Sequence, residues 1–287
     1  MRKIITILGC LSLSISLSSC NTKQESFDIV CSCYPTYDFA TKIVEDKLTV
    51  KNLIKPGVEP HDYEMTTSDV KILTNSKLFL TIGLGFETYT NTLNQNIKDK
   101  TVQTSNNASL INTNSNTYDP HLWLDPQNAK VMASNILEGI IKIDNQNKDF
   151  YTSNYDELID KLDKLDKDYK EKLVNLSSHD LVTSHNAFAY LCKRYDLNQI
   201  SIAGLSPEDE PSAARLKEII DYINSNNVKT IFYEELASDE IVKSIASQTG
   251  VSFVELSPLE GFESEESSED YFSIMYENLN KIYDALK

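Results

Sequence analysis

The 287-residue chain holds 43 acidic side chains against 27 basic ones, a formal charge of −16 that argues against nucleic acid and anionic lipid as partners and favours attraction of cations. Hydrophobic residues make up 40 % of it, enough for one large or two medium domains with real cores, and a two-lobed organisation is expected.

The first nineteen residues read as an address rather than as structure. Arg2 and Lys3 precede an apolar run over 4–17 that is too short to span a bilayer as a helix. The run ends in Leu17-Ser18-Ser19-Cys20, which resembles a bacterial lipobox. That resemblance makes 1–19 a lipoprotein signal peptide and Cys20 the lipidated mature N-terminus, anchored in the membrane. Beyond Cys10 and Cys20, the cysteines Cys31, Cys33 and Cys192 are too few and too odd in number for a disulfide framework. Alternation along a strand over 27–34 puts Cys31 and Cys33 on one face, where they read as small buried hydrophobes.

A second strand is expected over 48–54, then a loop carrying Pro60-His61 and a short capped helix over 67–76. A buried strand over 78–82 is closed by Gly83-Leu84-Gly85. The Asn-, Ser- and Thr-rich stretch 101–117 reads as a loop with one short strand at 109–112. Next comes Tyr118-Asp119-Pro120-His121-Leu122-Trp123-Leu124-Asp125-Pro126, in which prolines fix a histidine beside the only tryptophan. Asp125 and Pro126 look like the N-cap and first position of a helix whose Met132, Ile136, Ile140 and Ile143 keep helical spacing. A charged helix over 155–176 has one apolar stripe, as either a connector between lobes or an ordinary surface helix would.

From Asp180 the pattern is strand 180–183, helix 187–195, strand 199–203, helix 212–224, strand 229–233, helix 239–249, strand 252–256 and helix 269–286. Strand and helix taking turns predict a mostly parallel sheet flanked by helices, that is, an α/β fold.

Of the four histidines, His61, His121 and His185 fall where loops leave strands or open helices, the usual ligand side of an α/β sheet. His179 lies at the opposite end of its strand and is set aside as a surface residue. Three imidazoles with a carboxylate suit zinc in a tetrahedral site, and Glu260, at the end of the last strand in Leu256-Ser257-Pro258-Leu259-Glu260, is the best-placed fourth ligand. Dispersed ligands without a fixed spacing are individually weak signals.

Taken together, Gly57-Val58-Glu59-Pro60-His61-Asp62-Tyr63-Glu64, Asp119 through Pro126, Thr183-Ser184-His185-Asn186-Ala187-Phe188 and Ile231-Phe232-Tyr233-Glu234-Glu235 resemble the cluster A-I metal-binding solute-binding lipoproteins of ABC importers. The resemblance covers essentially the whole chain after the leader. It implies two α/β lobes, at 20–154 and 179–287, joined by one long rigid helix at 155–178, with the metal between them. It also implies that His61 and His121 are ligands from the first lobe and His185 the third ligand, a position that is histidine in zinc-type members and glutamate in many manganese-type members. Leu-x-Pro-Leu-Glu at 256–260 matches a zinc-type subset and supports Glu260 as the fourth. Zn(2+) is therefore the expected ion, with Mn(2+) as the alternative.

Two departures stand out: 101–117 holds no histidine, unlike the His-rich loop of many zinc members, and Asn186 stands where aspartate is common, which puts a contact to the third ligand in doubt. The expectation is a monomeric, lipid-anchored, extracytoplasmic protein that captures a divalent cation and delivers it to a membrane permease, and not an enzyme. The competing classes are a zinc hydrolase, with Glu260 as a base on metal-bound water, and a surface adhesin with a structural metal.

Overall fold

The computed structural model describes residues 26–113, 117–261 and 268–287, so the leader and Cys20 lie outside it. The first sheet comprises β1 (Ile29–Cys31), β2 (Val50–Asn52), β3 (Leu78–Thr81) and β4 (Thr101–Gln103), all parallel, in the order β2-β1-β3-β4. Its helices are α1 (Tyr34–Val44), α2 (Thr67–Asn75) and the single turn α3 (Gln95–Lys98). Two long helices follow, α4 (Pro126–Ile143) and α5 (Lys148–Lys172). The second sheet, β5 (Asp180–Thr183), β6 (Asn198–Ser201), β7 (Thr230–Tyr233) and β8 (Ser252–Glu255), repeats the parallel pattern in the order β6-β5-β7-β8. It carries α6 (Ala189–Tyr195), α7 (Ala213–Asn226), α8 (Glu240–Thr249) and α9 (Tyr271–Leu286).

The two-residue period of a strand divides the apolar residues between two faces. In the first sheet Ile29, Cys31, Leu78 and Leu80 point into a core shared with α4 and α5, while Val30 and Phe79 meet Leu73 and Ile97 on the other side. The second sheet does likewise, with Leu181 and Phe232 facing the shared core and Val182 and Ile231 packing on Ile219, Ile223, Val242 and Ile245. The central strands β1, β3, β5 and β7 are therefore mostly buried and apolar, as strands covered on both faces are, while the edge strands carry polar residues.

Helix α5 supplies the link between these halves. Leu158, Leu162, Leu165 and Tyr169 form its one buried stripe, and the Tyr169 hydroxyl donates to the Met275 carbonyl of α9 at 2.6 Å. Asp166, on the same helix, accepts from the Arg194 guanidinium of α6, and Arg194 also lies 3.2 Å from Asp125 at the start of α4. Burial alone would raise the Asp166 carboxyl, but Arg194 and Lys170 hold it down to about 2. Helix α9 crosses back to the first lobe, where Asp270 lies 3.0 Å from Lys42 and the Tyr271 ring packs 4.8 Å from Phe39.

Several expectations need correction. The stretch 101–117 is not a loop with a strand at 109–112: its strand is β4, Thr101–Gln103, where Thr101 pairs with Phe79, and of 109–112 only Asn112 forms an isolated bridge, to Tyr118. Pairing with β3 outweighs the polar composition that suggested a loop. The first strand stops at Cys31, and Cys33 caps α1, a helix with Pro35 in its first turn. Cys31, Cys33 and Cys192 are all buried and free, and burial pushes their thiols up. Helix α5 starts at Lys148, seven residues before the expected Tyr155, because Tyr151 is buried by tertiary packing despite its polar neighbours.

If α5 is held by that single stripe, Leu162→Ala should lower the unfolding free energy by about 2–5 kcal/mol in denaturant titration, whereas the exposed Lys161→Ala should change it by no more than about 0.5 kcal/mol.

Candidate metal centre

Each of the four proposed ligands leaves the carboxyl-end side of a sheet, where an open α/β sheet presents its ligand groups. His61 lies in the loop after β2, where Gly57 takes a positive φ of 78° and Pro60 is buried. The His61 backbone N–H donates to Glu59 at 3.0 Å. His121 opens a single helical turn, Leu122–Leu124, and Asp125 then caps α4 by accepting from the Gln127 N–H at 2.9 Å. Asp125 is thus a cap, as its position before Pro126 implied. His185 follows β5 after the single residue Ser184.

Glu260 is delivered by a constrained turn after β8. Asn278 of α9 bonds Ser257 through both its amide oxygen and its amide nitrogen, and Ser257 Oγ donates to Glu235 at 2.6 Å. Leu259, fully buried, takes a left-handed φ of 63°, a conformation that costs a non-glycine residue roughly 1–2 kcal/mol. The packing of Leu259 and these hydrogen bonds hold the turn that aims Glu260 at the histidines.

The structure brings His61, His121, His185 and Glu260 together, with their ligand atoms all within 4.8 Å of one another. His121 Nε2 lies 2.9 Å from Glu260 Oε1, 3.2 Å from His61 Nε2 and 3.5 Å from His185 Nε2. Glu260 Oε1 is 3.3 Å from His61 Nε2 and 3.8 Å from His185 Nε2. A tetrahedral zinc site with bonds of ~2.0–2.1 Å has edges of ~3.3–3.4 Å; five of the six edges here lie between 2.9 and 3.8 Å, and the sixth, His61 to His185, is within 4.8 Å. Among the described residues, the buried Glu260 Oε2 has no hydrogen-bond partner, which leaves it open to a cation. His179 takes no part; its Nδ1 lies 2.7 Å from the Asp196 carbonyl oxygen.

Two carboxylates to which the sequence motifs assign no role contact these rings. Asp119 Oδ1 lies 2.8 Å from His121 Nδ1 and also accepts the His121 N–H at 2.9 Å. Glu234 Oε1 meets His185 Nδ1 and accepts the Ser184 hydroxyl. Each carboxylate turns the Nε2 of its histidine toward the common centre. The signal was available in sequence for Asp119, two residues before a histidine in a proline turn; for Glu234 it required knowing that β5 and β7 are neighbours. Asn186 does not make the contact in question: its backbone N–H donates to the Gly204 carbonyl, and the His185 ring is served by Glu234 instead.

Trp123 combines packing with proximity to the site. It is fully buried, its ring centre is 5.4 Å from that of His121, and its Nε1 donates to the Pro258 carbonyl at 2.7 Å. The turn carrying Glu260 is thereby tied to the motif carrying His121.

The electrostatics follow from burial among opposite charges. Burial disfavours an imidazolium at His121, but hydrogen bonds and charge from Asp119 and Glu260 prevail and push its pKa up to about 10. For Glu260 burial favours the neutral acid, yet the charges and hydrogen bonds of His61 and His121 hold its carboxyl well below the usual range. The two shifts have one cause, since each group favours the charged form of the other across 2.9 Å.

A two-lobed α/β protein with three imidazoles and one carboxylate converging in a nearly dry interlobe site is a cation-binding protein. A family model described as zinc-uptake complex component A, periplasmic, matches residues 29–285, and the chain belongs to that family. It is 35 % identical over 292 residues to the high-affinity zinc uptake system protein ZnuA of Bacillus subtilis strain 168, covering 95 % of this chain and 92 % of that protein. It is 31 % identical over 303 residues to the zinc-binding lipoprotein AdcA of Streptococcus pneumoniae serotype 4; that match covers 98 % of this chain but 60 % of the longer AdcA. Among solved structures, the laminin-binding protein Lmb of Streptococcus agalactiae, described as a bifunctional protein with adhesin and metal transporting activity, superposes with a TM-score of 0.84 at 33 % identity, covering 91 % of this chain and 100 % of Lmb.

Asp119→Asn and Glu234→Gln should each weaken zinc binding about 10–100-fold in competition with a chromophoric chelator. An affinity within twofold of the parent would refute their orienting role.

Proposed function

We propose that this chain is the zinc-capturing component of an ABC importer, acting outside the cytoplasm, with His61, His121, His185 and Glu260 as the four ligands. The observation that carries the reading is the near-tetrahedral set of three Nε2 atoms and one carboxylate oxygen, with all but one of these side chains essentially buried and His61 at 11 % exposure. Borderline nitrogen donors at tetrahedral spacing favour zinc; manganese is better served by more oxygen ligands in a larger, octahedral array. Four protein ligands would close the coordination shell and leave no position for a catalytic water, which argues against the hydrolase alternative. The zinc-binding and zinc-uptake descriptions of ZnuA and AdcA support the same ion.

Capture follows from the residues themselves. The acidic surface raises the local concentration of cations. Glu260 and the three imidazoles would then replace the hydration shell of the ion, and a proton on His121 must leave before its Nε2 can become a ligand. Delivery to a membrane permease completes the proposed cycle, with lobes at 20–154 and 179–287 presenting the ion from between them and the segment 155–178 linking them. The proposed lipid anchor at Cys20, supported by the lipobox-like Leu17-Ser18-Ser19-Cys20, would keep a monomer beside that permease.

Because the His121 pKa lies near 10, zinc binding at pH 7 should release at least one proton, seen as a dependence of the calorimetric heat on buffer ionisation enthalpy. The sign is fixed: ligation needs the neutral imidazole, so affinity falls as pH falls, about tenfold per unit for each proton displaced. An affinity equal at pH 7.5 and pH 5 would overturn the site, as would tight zinc binding by His121→Ala. Cys20→Ser should move the protein from the membrane fraction to the soluble exported fraction; retention on the membrane would refute the anchor.

A further inference from the structure

The three imidazoles are not held alike. His121 Nδ1 rests on Asp119 and His185 Nδ1 on Glu234, whereas among the described residues no hydrogen bond reaches His61 Nδ1. The His61 ring instead meets the ring of Phe86, edge to face at 4.9 Å and 73°. Phe86 is 5 % exposed, and its other neighbour is Trp123, at 5.8 Å and 74°, the indole that also packs on His121. One phenyl ring thus stands between the supports of both first-lobe ligands.

The loop bearing Phe86 is clamped from below. Gly83, Leu84 and Gly85 run through three successive left-handed conformations, with φ of 82°, 60° and 91°. The carboxylate of Glu87, 4 % exposed, accepts the Ile82 N–H at 2.7 Å, the Gly83 N–H at 2.9 Å and the Ser32 hydroxyl at 2.6 Å. A buried carboxylate is tolerated only with such donors around it, and removing its acceptor capacity would leave buried N–H groups without partners.

The second lobe shows what this arrangement is for. There Ser184, directly after the first strand of its sheet, donates to the buried Glu234 at 2.6 Å, as Ser32 after β1 donates to Glu87. Ser184 N–H donates to the Phe232 carbonyl and Ser32 N–H to the Leu80 carbonyl, each on the adjacent strand across the point where strand order reverses. The serine thus occupies the same place in both sheets, while its glutamate directly follows the adjacent strand in the second lobe and comes six residues after it in the first. In the second lobe the residue after the serine is the ligand His185, and Glu234 touches it directly. In the first lobe that residue is Cys33, buried at the start of α1, and the ligand comes from the β2 loop instead.

We infer that Glu87 and Phe86 are positioning residues for metal capture: Glu87 clamps the Gly83-Leu84-Gly85 loop, and Phe86 orients the His61 ring that no hydrogen bond to Nδ1 fixes. The inference rests on His61 being a ligand. It assigns the Gly-Leu-Gly-Phe-Glu segment to the metal site rather than to closing a strand.

The test compares the full-length exported protein with Phe86→Leu and Glu87→Gln, using His61→Ala as the control for a lost ligand. Zinc affinity is measured by chelator competition, and the visible absorption of the Co(II)-loaded protein reports tetrahedral geometry. Thermal melting of the metal-free protein shows that each variant is folded. Phe86→Leu should stay folded, weaken zinc about tenfold or more and lose much of the Co(II) absorption, with Glu87→Gln moving the same way. A folded Phe86→Leu with zinc affinity within twofold of the parent and an unaltered Co(II) spectrum would overturn the inference, even if Glu87→Gln were weakened or failed to fold. If the parent and His61→Ala bound zinc equally, the assignment of the site itself would fall, an outcome distinct from the first.

Discussion

An ionised carboxylate held 2.9 Å from a buried imidazole, with two further imidazoles within 4 Å, is the arrangement the rest of the fold serves. Such a cluster would not assemble on a flexible chain, because desolvating a carboxylate costs several kcal/mol unless positive charge or donors meet it. The cost is met in layers. Asp119 and Glu234 turn two rings inward, the strained Leu259 turn aims Glu260, and the Trp123 indole ties that turn to the His121 motif. Each layer depends on the one beneath, down to two parallel sheets whose carboxyl ends face one another across a shared core.

The architecture was largely legible from the chain. Clean alternation from Asp180 onward read directly as a parallel α/β lobe, because short buried strands and amphipathic helices leave opposite periodicities. The first lobe was harder. Its β4 hides in the polar run Thr101-Val102-Gln103, where pairing with β3 decides the conformation, and α1 follows its strand so closely that Cys33 looked like a strand residue. Both are cases in which tertiary contacts outweigh local preference.

The site divided in the same way. His61, His121, His185 and Glu260 could be proposed because their residue types carry the chemistry and their loops follow strands. Asp119, two residues before a histidine in a proline turn, carries a local signal for its orienting role, whereas Glu234 looks in sequence like any surface acid until β5 and β7 are known to be neighbours. Phe86 and Glu87 were less visible still: their roles depend on which loops meet at the strand-order reversal, and that is a property of topology.

Topology also bears on how the ion is held. The lobes are joined by contacts that need no metal: Tyr190 of α6 donates to the Asp119 carbonyl, Tyr271 of α9 to the Trp123 carbonyl, and Arg194 bridges Asp166 of α5 and Asp125. These contacts hold the four candidate ligands in place through the fold, so much of the cost of ordering them falls on folding rather than on binding. A preorganised near-tetrahedral set discriminates by geometry, since an ion that prefers six oxygen ligands would have to break these interlobe contacts to gain its own coordination. On the proposed reading, selectivity would rest as much on the hydrogen bonds that clasp the lobes as on the four side chains that would touch the ion.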